Sequence, residues 1–266
     1  MDEINYYSAI LQNNTFSGLI VGQKIVVLKQ IDSTNSFLRN ELSKSKPLTE
    51  GTVIMAEEQF AGRGQRDNQW FSAPGLNLTF SILLCPGFIN PENQFMLNVA
   101  VSLGINDTLR AIIGDDLRIK WPNDIYVRDQ KLGGVLIENI VQGKSWKHAI
   151  VGIGLNVNQV DFDPSISNVT SLRRILHQDY DLTILLDEIC RKINRRYLQI
   201  RDGGGEYQFD DYVKNLYRLN EIHSYLVDGV EVRGRIVGIS REGLLQVNID
   251  GAVYCYGFKE IAYIIP

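Results

Sequence analysis

Apolar residues along this chain switch between a two-residue and a helical period. The β-branched run Ile25-Val26-Val27-Leu28 predicts a strand over 24–28, and Asp32 or Ser33 then reads as the N-cap of a helix carrying Phe37, Leu38 and Leu42. A second strand is expected over 52–56, rising directly into a glycine-bearing loop. Residues 76–84 alternate and are rich in β-formers, which predicts a third strand. Pro91 opens a helix to about residue 113: Phe95, Val99, Leu103 and Leu109 recur at roughly helical spacing, and Gly114 is a stop signal. Strands follow over 117–120, 131–141 and 146–156. A helix over 181–200 places Ile184, Leu185, Ile189 and Ile193 on one face; Gly203-Gly204-Gly205 breaks it, and a short helix over 208–216 follows.

After about Asn220 the texture changes. Short strand-like pieces over 224–227, 230–239, 244–249 and 252–258 alternate with Asp228-Gly229, Glu242-Gly243 and Asp250-Gly251, dipeptides that favour hairpin turns. This predicts a small all-β barrel over 220–266 behind a main domain over 1–219. The main domain has strands and helices without a regular βαβ rhythm, so an α+β mixed sheet is expected rather than a doubly wound one.

The bulk numbers narrow the class. With 44% hydrophobic and 22% charged residues among 266, the chain has the balance of a soluble globular protein with a sizeable core. Its formal charge of −4, from 27 basic and 31 acidic residues, argues against a surface built to hold nucleic acid. Cys85, Cys190 and Cys255 are far apart and show no pairing or metal spacing, which points to a reducing cytoplasm. The start, Met1-Asp2-Glu3-Ile4-Asn5, is acidic and lacks the apolar segment of a secretory signal. No run reads as long and apolar enough to span a membrane.

Chemistry concentrates in a few short stretches. Gly62-Arg63-Gly64-Gln65-Arg66-Asp67-Asn68-Gln69-Trp70 combines glycines that let backbone N–H groups approach an anion, arginine forks suited to phosphate or carboxylate, and a tryptophan face for an aromatic base. Taken alone, it is also what an ordinary polar loop looks like. In Lys120-Trp121-Pro122-Asn123-Asp124, Pro122 ends a strand and presents Asn123-Asp124 on a turn; a simple β-turn has the same composition. Lys131 beside Gly133-Gly134 can reach an anion over bare backbone, although an exposed hairpin lysine reads alike. Gly152 and Gly154 in Gly152-Ile153-Gly154-Leu155-Asn156 mark close approach of a ligand or another backbone, or else a bulge. Ser33-Thr34-Asn35 offers three small hydrogen-bonding side chains at a helix N-terminus, where capping is the plain alternative. His148, His177 and His223 are isolated, and nothing resembles a nucleophilic triad, a P-loop or a zinc site.

In this order, Ser33-Thr34-Asn35, Glu58-Gln59-Phe60-Ala61-Gly62-Arg63-Gly64, Trp70, Lys120-Trp121-Pro122-Asn123-Asp124, Lys131-Leu132-Gly133-Gly134 and Gly152-Ile153-Gly154-Leu155-Asn156 resemble the motifs of the biotin protein ligases. The resemblance runs from about Val26 to the end. It implies a mixed-sheet core related to the class II aminoacyl-tRNA synthetases, with an SH3-like C-terminal barrel. It implies two steps: biotin and Mg-ATP give biotinyl-5′-AMP, and a lysine of a biotin carboxyl carrier protein then takes the biotinyl group. By the resemblance, Ser33, Thr34, Asn35 and Gln59 would hold the biotin head group, with Gly64 and Gln65 beside them. Arg63 and Lys131 would meet its carboxylate and the α-phosphate. Arg66, Lys120, Asn123, Asn156 and Trp70 would serve the nucleotide, with Trp70 under the adenine. Asp124 would position the incoming lysine or a magnesium ion, and Gly134 and Gly154 would leave room for the bicyclic ring and its chain. A glycine-containing polar loop over 62–70 suits a lid that is mobile when empty and ordered over its ligand.

The chain departs from the family at Gln65 and Asn68, where basic residues are common, and at Asp67, where a glycine is common. Asp67 brings negative charge towards a phosphate site, yet Asp tolerates the left-handed backbone better than most residues. About two dozen residues precede the first expected strand, too few for the DNA-binding domain of some relatives. Rival readings are a lipoate- or octanoate-type acyl ligase on the same scaffold and a biotin-binding module without catalysis. The sequence leaves open whether the chain is a monomer or a homodimer.

Overall fold

The computed structural model describes residues 19–45, 48–65, 68–143 and 145–265. Its larger sheet has seven strands in the order β1-β2-β3-β7-β6-β5-β4, formed by β1 (Ile25–Ile31), β2 (Val53–Gln59), β3 (Leu78–Leu84), β4 (Leu117–Lys120), β5 (Asp124–Val127), β6 (Gln130–Gln142) and β7 (Ser145–Leu155). Only β1 and β2 run parallel, joined through helix α1 (Thr34–Leu42); the other pairs are antiparallel. The expected α+β mixed sheet is what the chain builds.

Strand periodicity decides which face each residue serves. On one face Val53, Met55, Phe80, Ile82 and Leu84 join the main core, covered by α2 (Phe95–Ile113), α4 (Leu182–Arg201) and α5 (Gly205–Lys214). On the other face Leu28, Ile54, Leu83 and Ile150 pack with Leu38 of α1 in a smaller cluster. Helix α2, with the turn before it (Pro91–Ile113), is long and apolar enough by composition to cross a membrane, contrary to the reading from the sequence. Its apolar residues are instead spent inside the protein: 61% of its apolar 18-residue window is buried, and α2 packs along α4.

The second sheet is antiparallel, ordered β11-β10-β9-β8-β12, from β8 (Ile222–Val227), β9 (Val230–Ile239), β10 (Leu245–Ile249), β11 (Ala252–Tyr256) and β12 (Ile261–Tyr263). Two of its turns follow the dipeptides: Asp228 and Gly229 have φ of 50° and 78°, Asp250 and Gly251 of 50° and 91°, the left-handed pairs that tight hairpins require. The two sheets are not insulated. Tyr225, Ile236, Leu245, Val247 and Ile261 belong to the same buried cluster as the large sheet's core, and Trp121 Nε1 donates to the Gly243 carbonyl at 2.9 Å.

Some elements differ from expectation. β2 runs on to Gln59 rather than ending near residue 56, which carries Gln59 to the ends of the neighbouring strands. The short helix after the glycines starts at Gly205, not 208, and stops at Lys214. β5, β12 and α3 (Leu172–Leu176) were not expected; α3 is capped by Ser171 Oγ, which accepts from Arg174 N at 3.2 Å.

Candidate functional site

A cavity of about 440 Å³ opens where α1, the loop after β2, β5, β6 and β7 meet the turn before β12. Its first wall is the start of α1. Ser33 has the extended backbone of an N-cap (φ −157°, ψ 135°), yet its side chain makes no capping bond and instead lines the cavity. Thr34 N and Thr34 Oγ1 both donate to Gln59 Oε1, at 2.8 and 3.0 Å. Ser81 Oγ lies 2.6 Å from both Thr34 Oγ1 and Asn35 Oδ1, and Asn35 Nδ2 donates to Glu138 Oε2 at 2.8 Å. Gly152 is what lets this chain of polar groups close: a Cβ there would stand 2.4 Å from Asn35 Oδ1. The result is a buried row of donors and acceptors with fixed directions, suited to a neutral polar group such as a cyclic urea or amide.

The opposite wall carries charge. Lys131 Nζ sits 2.7 Å and Lys120 Nζ 3.9 Å from the two oxygens of Asp124. Lys120 also lies over the rings of Tyr126 and Tyr263, at 5.2 and 4.8 Å from their centroids. Burial lowers the Lys120 pKa below the usual lysine range; Lys131 and Arg218 push the same way, while Asp124 opposes them. Asp124 is the one acidic group among the described lining residues, so two ammonium groups face one carboxylate and an anion is welcome.

The glycine loop forms the roof. Trp70 N donates to Gly62 O at 3.0 Å and Gly64 N to Asn68 O at 2.8 Å, and Arg63 bridges Gln69, so the described part is a small hairpin. Arg63 does not point at Lys131. Its guanidinium reaches Glu138, at 3.1 Å from Oε1 and 3.4 Å from Oε2. Trp70 lies on bare backbone of β7: a Cβ on Gly154 would fall 2.4 Å from its ring. Among the described residues Trp70 Nε1 finds no hydrogen-bond partner, and it is a buried donor behind the cavity wall. Arg66 and Asp67 lie outside the described residues.

The structure thus gathers Ser33, Thr34, Asn35, Gln59, Arg63, Gly64, Gln65, Trp70, Lys120, Asn123, Asp124, Lys131, Gly134 and Gly154 around one space. Asn156 is elsewhere: it is buried and donates through Nδ2 to the Thr170 carbonyl at 3.0 Å. Asn123 reaches the cavity, but its Nδ2 is spent on the Val135 carbonyl, and Val135 N returns a bond to its main chain at 3.0 Å. Gly134 makes room for the ion pair of Asp124 and Lys131, since a Cβ would stand 2.8 Å from Asp124 Oδ1. Gly154 likewise makes room for Trp70.

The sequence reading missed several participants. Ser81 and Glu138 are mid-strand polar residues behind the lining, and their only signal is polarity inside strands that otherwise read as apolar. Phe258 and Lys259 come from the turn before β12, and Tyr263 from β12 itself. Lys259 holds a non-glycine φ of 78°, a costly conformation that tends to mark ligand sites. Among the described residues, no cluster of three or more His, Cys, Asp or Glu could cage a metal ion. Asp124, already bound to two lysines, does not fit as the seat of a resident ion.

Residues 27–156 match the model of the biotin/lipoate A/B protein ligase family. The bifunctional ligase/repressor BirA of Salmonella typhimurium is 38% identical over 237 residues, covering 86% of this chain and 71% of that protein. BirA of Escherichia coli is 29% identical over 257 residues, covering 92% and 75%. Among solved structures, the biotin protein ligase of Aquifex aeolicus in complex with biotin and ATP has a TM-score of 0.77 at 26% identity, covering 91% of this chain and 99% of that one. The residues 27–156 matched by the family model carry the walls formed by α1, the glycine loop, β5, β6 and β7, and the chain belongs to the biotin protein ligases of the biotin/lipoate A/B protein ligase family.

Proposed function

We propose that the protein activates biotin with ATP as biotinyl-5′-AMP and transfers the biotinyl group to one lysine of a biotin carboxyl carrier domain. The observation that carries this reading is the cavity itself. It joins a buried neutral hydrogen-bonding row at Thr34, Asn35 and Gln59 to a cationic wall at Lys120 and Lys131, with Trp70 alongside. Biotin has the matching halves, a ureido head and a carboxylate tail.

In the first step a carboxylate oxygen of biotin attacks the α-phosphorus of ATP. A P–O bond forms, the bond to the β-phosphate breaks, and pyrophosphate leaves. Both reactants are anionic, so fixed cations must offset their repulsion and stabilise the charge that builds at phosphorus. Lys131, held by Asp124 at 2.7 Å, is aimed for this, and Lys120 and Arg63 extend the field. Magnesium enters this reading as the counter-ion of the nucleotide phosphates, where such ions usually sit, with no protein ligand assigned. The adenine lies against the face of Trp70. The glycine hairpin covers the mixed anhydride and keeps water from it.

In the second step the neutral ε-amine of the carrier lysine attacks the biotinyl carbonyl. A C–N bond forms, the C–O bond breaks with AMP as the leaving group, and the proton shed by the nitrogen passes to bulk water. Asp124 stands at the cavity wall to receive or orient that amine. Cys85, Cys190 and Cys255 are free thiols, in keeping with a reducing cytoplasm. The experiment is transfer of labelled biotin to a purified carrier domain with Mg-ATP, run beside lipoate and octanoate. Label on one carrier lysine with biotin alone supports the reading; preferential transfer of either other acid overturns it.

A further inference from the structure

We propose that Glu138 is a positioning residue for biotin recognition, acting through Asn35 and Arg63; this rests on the function proposed above. Glu138 lies in the middle of β6 and does not line the cavity, yet its carboxylate touches two residues that do. Oε2 accepts from Asn35 Nδ2 at 2.8 Å, and Oε1 from Arg63 Nη2 at 3.1 Å. Oε1 also accepts from Arg39 Nη2 of α1 at 2.9 Å. One carboxylate thus ties the start of α1, the glycine hairpin and β6 together.

The consequences are directional. An asparagine amide can turn over, exchanging donor and acceptor. Here Oδ1 faces Ser81 and Nδ2 faces Glu138, and a carboxylate, which can only accept, permits the nitrogen alone on that side. The donor and acceptor that Asn35 shows the cavity are therefore set from behind. Arg63 is fixed in the same way: without an anion at Glu138, its long side chain would sample many rotamers and the hairpin would lose its tie to the sheet. Glu138 is only 13% exposed on its side chain, so these contacts are shielded enough to matter.

The test is biotin binding by calorimetry without nucleotide, together with steady-state pyrophosphate release, for wild type, E138Q, E138A and R39A. E138Q should weaken biotin binding and raise the KM for biotin about tenfold, the size of one charge-assisted hydrogen bond. The KM for ATP should stay within about twofold. R39A, which keeps the contacts to Asn35 and Arg63, should leave biotin affinity within about twofold. In a double-mutant cycle, N35A/E138Q should be scarcely worse than N35A. Unchanged biotin affinity in E138Q overturns the inference. So does an equal loss of kcat and both KM terms with a lowered melting temperature, which marks a merely structural role. Should E138A not fold, the isosteric E138Q carries the test. A wild-type protein that binds no biotin and releases no pyrophosphate overturns the proposed function instead.

Discussion

Lys131 Nζ and Asp124 Oδ1 lie 2.7 Å apart, across neighbouring strands, over a glycine that leaves them the space. The site turns on this pair, because it aims an ammonium group at the place where two anions must meet.

G134A tests that geometry. The added Cβ would come within 2.8 Å of Asp124 Oδ1 and 3.3 Å of Lys131 Nζ, the movable ends of side chains. Stability should fall by less than about 1 kcal/mol, since the pair is partly exposed and can shift. Pyrophosphate release should drop by at least about tenfold, because a displacement of roughly 1 Å at a reacting centre is costly. Thermal melts beside stopped-time assays separate the two effects.

G154A acts on the other support. Its Cβ would stand 2.4 Å from Cε2 of Trp70, and the strand backbone cannot retreat as a side chain can. The indole should be pushed off β7, with a red-shifted tryptophan emission and a KM for ATP raised several-fold. Trp121 and Trp146 stay buried in the core, so the change reports on Trp70.

Much of this was legible in the sequence for a physical reason. Ser33-Thr34-Asn35, Gln59, Lys120 and Asp124, Lys131 and Gly134 are placed by strand ends and a helix start, and such ends announce themselves through caps, Pro122 and glycines. What was hidden needed the third dimension. Asn123 and Asn156 read as ligand-facing, but each amide is spent on a main-chain carbonyl that no linear pattern reveals. Asn123-Asp124 read as a plain turn, so the short strand beginning at Asp124 was missed. Glu138 and Lys259 reach the site only because β6 passes behind α1 and the small sheet folds back over the cavity.

The pH dependence should follow Lys120, whose pKa burial lowers. A lysine depressed below its unfolded value loses its charge early as pH rises. The charged form costs stability below the folded pKa, and the cost fades as pH climbs from there to the ordinary lysine range. Pyrophosphate release, which needs the cation, should fall over the lower part of that same window. K120R, which stays protonated, should carry the alkaline limb to higher pH. An alkaline limb unmoved in an active K120R protein would assign it to another group.

K259A should raise the KM for ATP about fivefold while sparing biotin affinity. Lys259 is the cavity-lining cation without a carboxylate partner among the described residues, and it faces the cavity from the turn before β12. About 1 kcal/mol is the scale expected of one partly exposed charge facing a phosphate. Isothermal titration with a non-hydrolysable ATP analogue and with biotin distinguishes the two sides of the cavity.

The most direct measurement is mass spectrometry of the purified protein after incubation with biotin and Mg-ATP, with no carrier present. The cavity's pairing of a fixed polar row with a cationic wall predicts biotinyl-5′-AMP retained on the protein, formed in step with pyrophosphate. Release of ADP and phosphate, or no adenylate at all from folded protein that binds both ligands, would contradict it.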